Sequence, residues 1–197
     1  MDARLARQLE FLREIDKLKG IVRRTWRLDD SRYETDAEHS WHLAMMAVVL
    51  GEHASEQVDL ARVIRMVLVH DLVEIDAGDA YPYDPDSMDA KPDAERQAAR
   101  RVFGLLPDDQ AEPLRRLWEE FEVHQTPEAR FANAIDRLQP LWFNYLTEGR
   151  EWRRHGVRVG QVREYLARRD VAAGSAGLHA FAEQILDESV RKGYLRP

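Results

Sequence analysis

Apolar residues return at helical spacing along most of this chain and almost nowhere at the alternation of a strand. Leu5, Leu9, Leu12 and Ile15 recur every three or four positions with Arg, Glu and Lys between them, which predicts an amphipathic helix over about residues 2–19, stopped by Gly20. After a turn rich in Asp and Ser, Thr35-Asp36-Ala37-Glu38 has the spacing of a capping box and opens a helix reaching to about Ala54, with His39 in its first turn. Asp59 is placed to cap a helix of roughly 60–76 that closes at Gly78. Tyr81 to Pro92 carries three prolines and reads as a loop. Helices follow at about 92–104, 108–124 and 127–148, the last opened by Thr126-Pro127-Glu128, with Pro140 expected to kink or divide it. After a glycine-containing connection at 155–160, helices of about 160–172 and 176–191 finish the chain, with Gly193 at the exit. The one alternating segment, Val157-Arg158-Val159, is too short for a sheet. The expectation is an all-α protein, a single-domain helical bundle over residues 1–197.

Composition narrows the chemistry. With 44% apolar and 33% charged residues the chain is of ordinary globular type, and no apolar run approaches the about 20 residues of a membrane span. The N-terminus mixes charge with apolar residues in place of a basic head and an apolar run, so a cytoplasmic protein is expected. There is no cysteine, so any metal site must be built from imidazole and carboxylate. Twenty-nine basic against 36 acidic residues leave a net charge of −7, which argues against binding a nucleic-acid backbone, and no membrane partner is expected. A small anionic substrate remains compatible if a metal and a few arginines supply local positive charge.

From Val63 to Ile75, nine of thirteen residues are large and apolar and lie all round the helix, the mark of a buried one. Within it stand His70, Asp71 and Glu74, whose charges are costly there unless paired or metal-bound. A buried ion pair with Arg62 or Arg65 is the plainer explanation for such a cluster. Two further observations weigh against it: His39 lies 31 residues upstream in an amphipathic helix, and Asp136 lies 65 downstream of Asp71 within the apolar frame Phe131, Ala134, Ile135, Leu138. Two imidazoles and two carboxylates without sulfur suit Mn, Fe, Co, Ni or Zn better than Ca or Mg.

The runs Ala37-Glu38-His39-Ser40, Leu68-Val69-His70-Asp71-Leu72-Val73-Glu74 and Gly78-Asp79 resemble the HD-domain phosphohydrolases, above all their 5'-deoxynucleotidase-like branch, over about Leu9 to Glu148. The resemblance implies one divalent metal held by His39, His70, Asp71 and Asp136, with Glu74 as the catalytic acidic residue and Asp79 as a second. It implies that Arg23-Arg24-Thr25-Trp26 supplies nucleotide contacts, with Arg24 and Trp26 the best alignment and Arg23 the alternative. Binuclear members of that superfamily carry extra histidines between the second and last ligands. Only His124 lies in that interval here, which favours a single metal. The motif around the last ligand departs from the more usual Asp-Lys-Leu-Glu, reading Asp136-Arg137-Leu138-Gln139-Pro140.

The activity implied is hydrolysis of a 5'-(deoxy)nucleoside monophosphate to nucleoside and phosphate by a homodimer. A triphosphate, cyclic nucleotide or alarmone hydrolase, or a non-catalytic metal- or nucleotide-binding module, stays open as an alternative. His42, His53, His124, His155 and His179 are not assigned as ligands. Trp41, Met45, Met46, Trp118 and Trp142 are assigned to the core from their helical settings.

Overall fold

The Asp2 side chain accepts the N–H of Arg4 and opens α1 (Ala3–Ile15), which tightens into a 3-10 turn over Asp16–Gly20. The structure, a computed structural model, describes residues 2–79, 81, 83 and 91–197. α1 buries Phe11 and Glu14, and the turn after it buries Leu18. Leu5, Leu9 and Leu12, the stripe expected to face inward, are exposed. The helix is held by polar contacts instead: Arg7 donates to the carbonyls of Gly104, Leu105 and Leu106, and Arg4 pairs with Asp109 at 2.7 Å.

The segment expected as a turn contains a β-hairpin. β1 (Val22–Trp26) runs antiparallel to β2 (Tyr33–Thr35), pairing Val22 with Thr35 and Trp26 with Tyr33. Its alternation is invisible to a hydrophobic test because the side chains it turns inward, Arg23 and Thr25, are polar.

α2 (Asp36–Leu50) begins as its capping box predicts: the Thr35 hydroxyl accepts the Glu38 N–H at 3.3 Å and Glu38 Oε2 accepts the Thr35 N–H at 2.9 Å. Leu43, Met46 and Ala47 enter the core. Trp41 and Met45, assigned there from sequence, are 64% and 44% exposed, with Val48 and Val49 exposed beside them. Apolar residues surround α2 on both sides, so its period alone does not choose the buried face. Met46 and Trp118 are buried as expected, and Trp142 is partly buried against the core.

Asp59 caps α3 (Leu60–Val69), accepting the Arg62 N–H at 3.1 Å. The expected single helix of 60–76 is broken at the His-Asp step, where residues His70–Val73 form a 3-10 turn before α4 (Glu74–Ala77) ends at Gly78. A 3-10 turn has about three residues per turn, so it sets Asp71 and Glu74 one above the other.

α5 (Lys91–Phe103), α6 (Asp108–Val123) and α7 (Pro127–Leu146) follow close to their expected bounds, and Pro140 does not divide α7. A short α8 (Arg150–His155), not foreseen, begins after Gly149, whose positive φ of 67° and approach to the Tyr194 carbonyl leave no room for a Cβ. α9 (Val159–Ala167), α10 (Val171–Gly174) and α11 (Ala176–Arg191) complete the chain. α7 is the central element, packed by α2, α3, α6, α10 and α11, and one core runs continuously from Phe11 to Leu195. Among the described residues, no helix is long and apolar enough to cross a membrane.

Replacing Thr35 with Ala removes one half of the capping box, and is expected to lower the unfolding free energy by about 1 kcal/mol. Urea denaturation followed by circular dichroism measures it. An unshifted midpoint would mean that the box contributes nothing to α2.

Candidate metal centre

Three separate stretches of chain deliver the candidate ligands. α2 carries His39 one turn beyond its cap, the 3-10 turn after α3 carries His70 and Asp71, and the middle of α7 carries Asp136, all buried. One ligand atom from each of His39, His70 and Asp136 falls within 4.8 Å of the others. His39 Nε2 is 3.0 Å from Asp136 Oδ1, which is 3.7 Å from His70 Nε2. Asp71 adjoins this group without joining its tightest part: its Oδ1 is 3.1 Å from His70 Nε2, while its Oδ2 accepts from Arg23 Nη1 at 2.9 Å.

The orientation of His70 is informative. Its Nδ1 faces the Val67 carbonyl at 2.8 Å, and a carbonyl only accepts, so in the neutral ring Nδ1 bears the proton and Nε2 the lone pair. That Nε2 is buried and has no hydrogen-bond partner among the described residues. A buried imidazole lone pair aimed at two carboxylates is what a metal ligand looks like, and its backbone partner fixes the tautomer as in known sites.

Charge balance leads to the same conclusion. Glu34, Asp36, Asp71, Glu74 and Asp136 are all buried in this region, against the half-buried guanidiniums of Arg23 and Arg137. Burial pushes Asp36 up to about 8 and Glu34 up to about 7, Arg23 opposing both shifts. Burial lowers His39 to about 4, whereas at His70 the same effect is outweighed by Asp71 and Asp136, which raise it to about 9. Asp136 stays well below the usual carboxylate range because Arg137 and both histidines outweigh its burial. Without metal, a proton on His70 serves as the local cation; a divalent ion would take over that role with more charge. The donor set fits such a metal, with two imidazole nitrogens and one or two carboxylates.

Beside the ligands opens a cleft of about 270 Å³ lined by Arg23, Arg24, Glu74, Asp79 and the aromatic side chains of Tyr81, Tyr83, Phe121 and Tyr165. The two arginines have different surroundings. Arg23 is enclosed by Asp71 at 2.9 Å, Asp36 at 3.1 Å and Glu34 at 3.6 Å, which raise its pKa well above the ordinary value despite burial. Arg24 is exposed and lies 5.0 Å over the Tyr81 ring. Trp26 is not among the residues lining the cleft: its indole N–H donates to Glu151 at 2.8 Å, Arg150 covers its face and Tyr33 packs at 4.6 Å, so it ties the hairpin to α8.

Several residues escaped the reading of the sequence. Glu34 and Asp36 stand two apart around the cap residue Thr35, a strand-type spacing that puts both on Arg23. Gln139, one turn beyond Asp136, is fully buried against His39. Its position at i+3 from a ligand was the available signal.

The family described as HD domain matches residues 15–176. The 5'-deoxynucleotidase HDDC2 of Homo sapiens is 33% identical over 134 residues, 68% of this chain and 64% of that protein. The Bos taurus protein of the same name is 33% identical over 143 residues, 72% of this chain and 68% of that protein. The chain thus spans about two thirds of the length of these curated relatives. A crystal structure of a protein from Magnetospirillum magnetotacticum MS-1, described as a predicted metal-dependent phosphohydrolase, shares the fold with a TM-score of 0.92 and 52% identity over 100% of both chains.

Metal and proton compete for His70. Since its protonated form persists up to about 9, metal binding at pH 7 is expected to release a proton, and affinity to climb as pH rises toward 9. Calorimetric titration with Mn or Co in buffers of different ionisation enthalpy reads the proton directly; binding without proton release would mean that His70 is already neutral in the metal-free protein.

Proposed function

This chain belongs to the HD-domain family, and from that premise we propose that it is a metal-dependent phosphohydrolase that converts deoxynucleoside 5'-monophosphates to nucleosides and inorganic phosphate. The observation that carries the reading is the convergence of His39, His70 and Asp136, with Asp71 alongside, at the wall of a cleft that also holds Glu74, Asp79 and Arg24. The names of the HDDC2 relatives support the substrate class. The cleft, about 270 Å³, is of the order of a small-molecule site.

His39, His70, Asp71 and Asp136 would hold one divalent transition metal, which supplies Lewis acidity toward a phosphoryl oxygen and acidifies water. The chain's own residues do the rest. Glu74, buried at the head of α4, takes the proton of the water that attacks phosphorus, and the 5' oxygen, as its bond to phosphorus breaks, takes up a proton and leaves as the nucleoside hydroxyl. Arg24, exposed on β1 and facing the cleft, neutralises the phosphoryl oxygens. Arg23 has its charge committed to carboxylates and holds Asp71 in place, which divides the tasks of the two arginines. Asp79 lines the same cleft and orients the sugar by accepting a hydroxyl hydrogen bond. Tyr81, Tyr83 and Tyr165 give the nucleoside an aromatic wall.

Phosphate release from deoxy- and ribonucleoside monophosphates, assayed with metal-stripped protein to which Mn, Co, Zn or Mg is returned, tests the reading. Turnover should require metal, and Glu74→Ala should reduce it roughly 10²- to 10⁴-fold. No release with any metal, from protein shown to bind one, would redirect the reading to another phosphorylated substrate or to a binding module.

The homodimer belongs to the same proposal. Trp41, Met45, Val48 and Val49 form an exposed apolar stripe on one face of α2, suited to meeting its own copy across a two-fold axis. Trp41→Glu combined with Val49→Glu should turn a dimer into a monomer in sedimentation velocity. An unchanged dimer would place the interface elsewhere.

A further inference from the structure

His39 is the ligand whose tautomer the backbone does not set. Its Nδ1 faces Gln139 Oε1 at 3.2 Å, and Gln139 Nε2 donates to Glu34 Oε2 at 2.9 Å. His39 and Gln139 are fully buried and Glu34 nearly so, which leaves no water to take any of these places. Glu34 Oε2 accepts the amide proton of Gln139 Nε2, and the other end of the same amide, Oε1, is the atom that faces His39. An amide oxygen only accepts, so Nδ1 of His39 must carry the proton and Nε2 the lone pair, and it is Nε2 that faces Asp136 Oδ1 at 3.0 Å. From these contacts we infer that Gln139, oriented by Glu34, is a positioning residue that fixes His39 in its metal-binding tautomer.

The chain runs from β2 through α7 to α2, so it also locks the hairpin to the two helices that carry ligands. Glu34 lies 3.6 Å from Arg23, which Asp36 at 3.1 Å and Asp71 at 2.9 Å hold more closely, so the guanidinium keeps its place without the Glu34 charge. The residue that stands where a glutamate is more usual in the resembling motif fits this arrangement: Glu34 already supplies the carboxylate, and a neutral amide can donate to it while accepting from His39. Partners of this kind typically contribute about 10- to 100-fold in metal affinity.

This inference rests on the metal-dependent reading above, and the experiment separates the two. Co(II) is titrated into the metal-free full chain, with binding read from visible absorption and by competition against a chelator. Melting curves of each metal-free protein certify folding. Gln139→Met keeps the length of the side chain but removes the acceptor, and should weaken Co(II) about 10- to 100-fold. The exchange Glu34→Gln with Gln139→Glu reverses the two ends of the relay while preserving an acceptor at His39, and should bind like wild type. A Gln139 that merely fills space would leave Gln139→Met with wild-type affinity, and that result overturns the inference. So does a folded exchange variant that binds Co(II) about 10-fold or more weakly than wild type, and this arm stands even where Gln139→Met does not fold. Wild-type protein that takes up no Co(II) would overturn the metal-dependent reading itself.

Discussion

Five buried carboxylates surround two buried imidazoles at the meeting point of the hairpin, α2, α3 and α7, and the need to compensate them organises the molecule. Removing a carboxylate from water is so costly that it persists only with cations and hydrogen-bond donors at hand. Arg23 answers three of them, Arg137 stands beside Asp136, and the lone pairs of His39 and His70 converge on what remains. A divalent cation is the economical completion of such a cluster. Bound there, it would turn an arrangement that is otherwise a liability to stability into a source of reactivity.

α7 makes this possible because it is buried for much of its length and touches nearly every other layer. Its residues one turn apart, Asp136 and Gln139, serve the same centre in different ways, one facing both histidines and the other steadying His39. Pro140 follows without interrupting the helix. The small hairpin, the least regular part of the fold, brings in Arg23, Arg24 and Glu34. Its outer anchor is the contact of Trp26 and Tyr33 with Glu151, far along the chain. Rigid helices thus carry the ligands, while a strand whose side chains diverge separates an arginine that supports the metal site from one that faces the cleft.

The sequence by itself determined the helices that carry strong local signals. Capping at Thr35, Asp59 and Thr126, and punctuation by Gly20 and Gly78, are interactions within a few residues, so they are visible without tertiary information. His39, His70, Asp71 and Asp136 stood out because charge in an apolar frame demands a partner wherever the chain goes. Only the tertiary structure decided the rest. The outward turn of Leu5, Leu9 and Leu12 and of Trp41 and Met45 depends on which face meets a neighbour, and a helix with apolar residues on both sides does not encode that choice. The hairpin escaped notice because its inward residues are polar, the 3-10 turn at His70 because it shares its pattern with an α-helix. The partition between Arg23 and Arg24, the placement of Trp26 outside the cleft, and the link from Glu34 through Gln139 to His39 all join residues distant in sequence. Such contacts exist only once the chain has closed on itself, and no periodicity in the sequence records them.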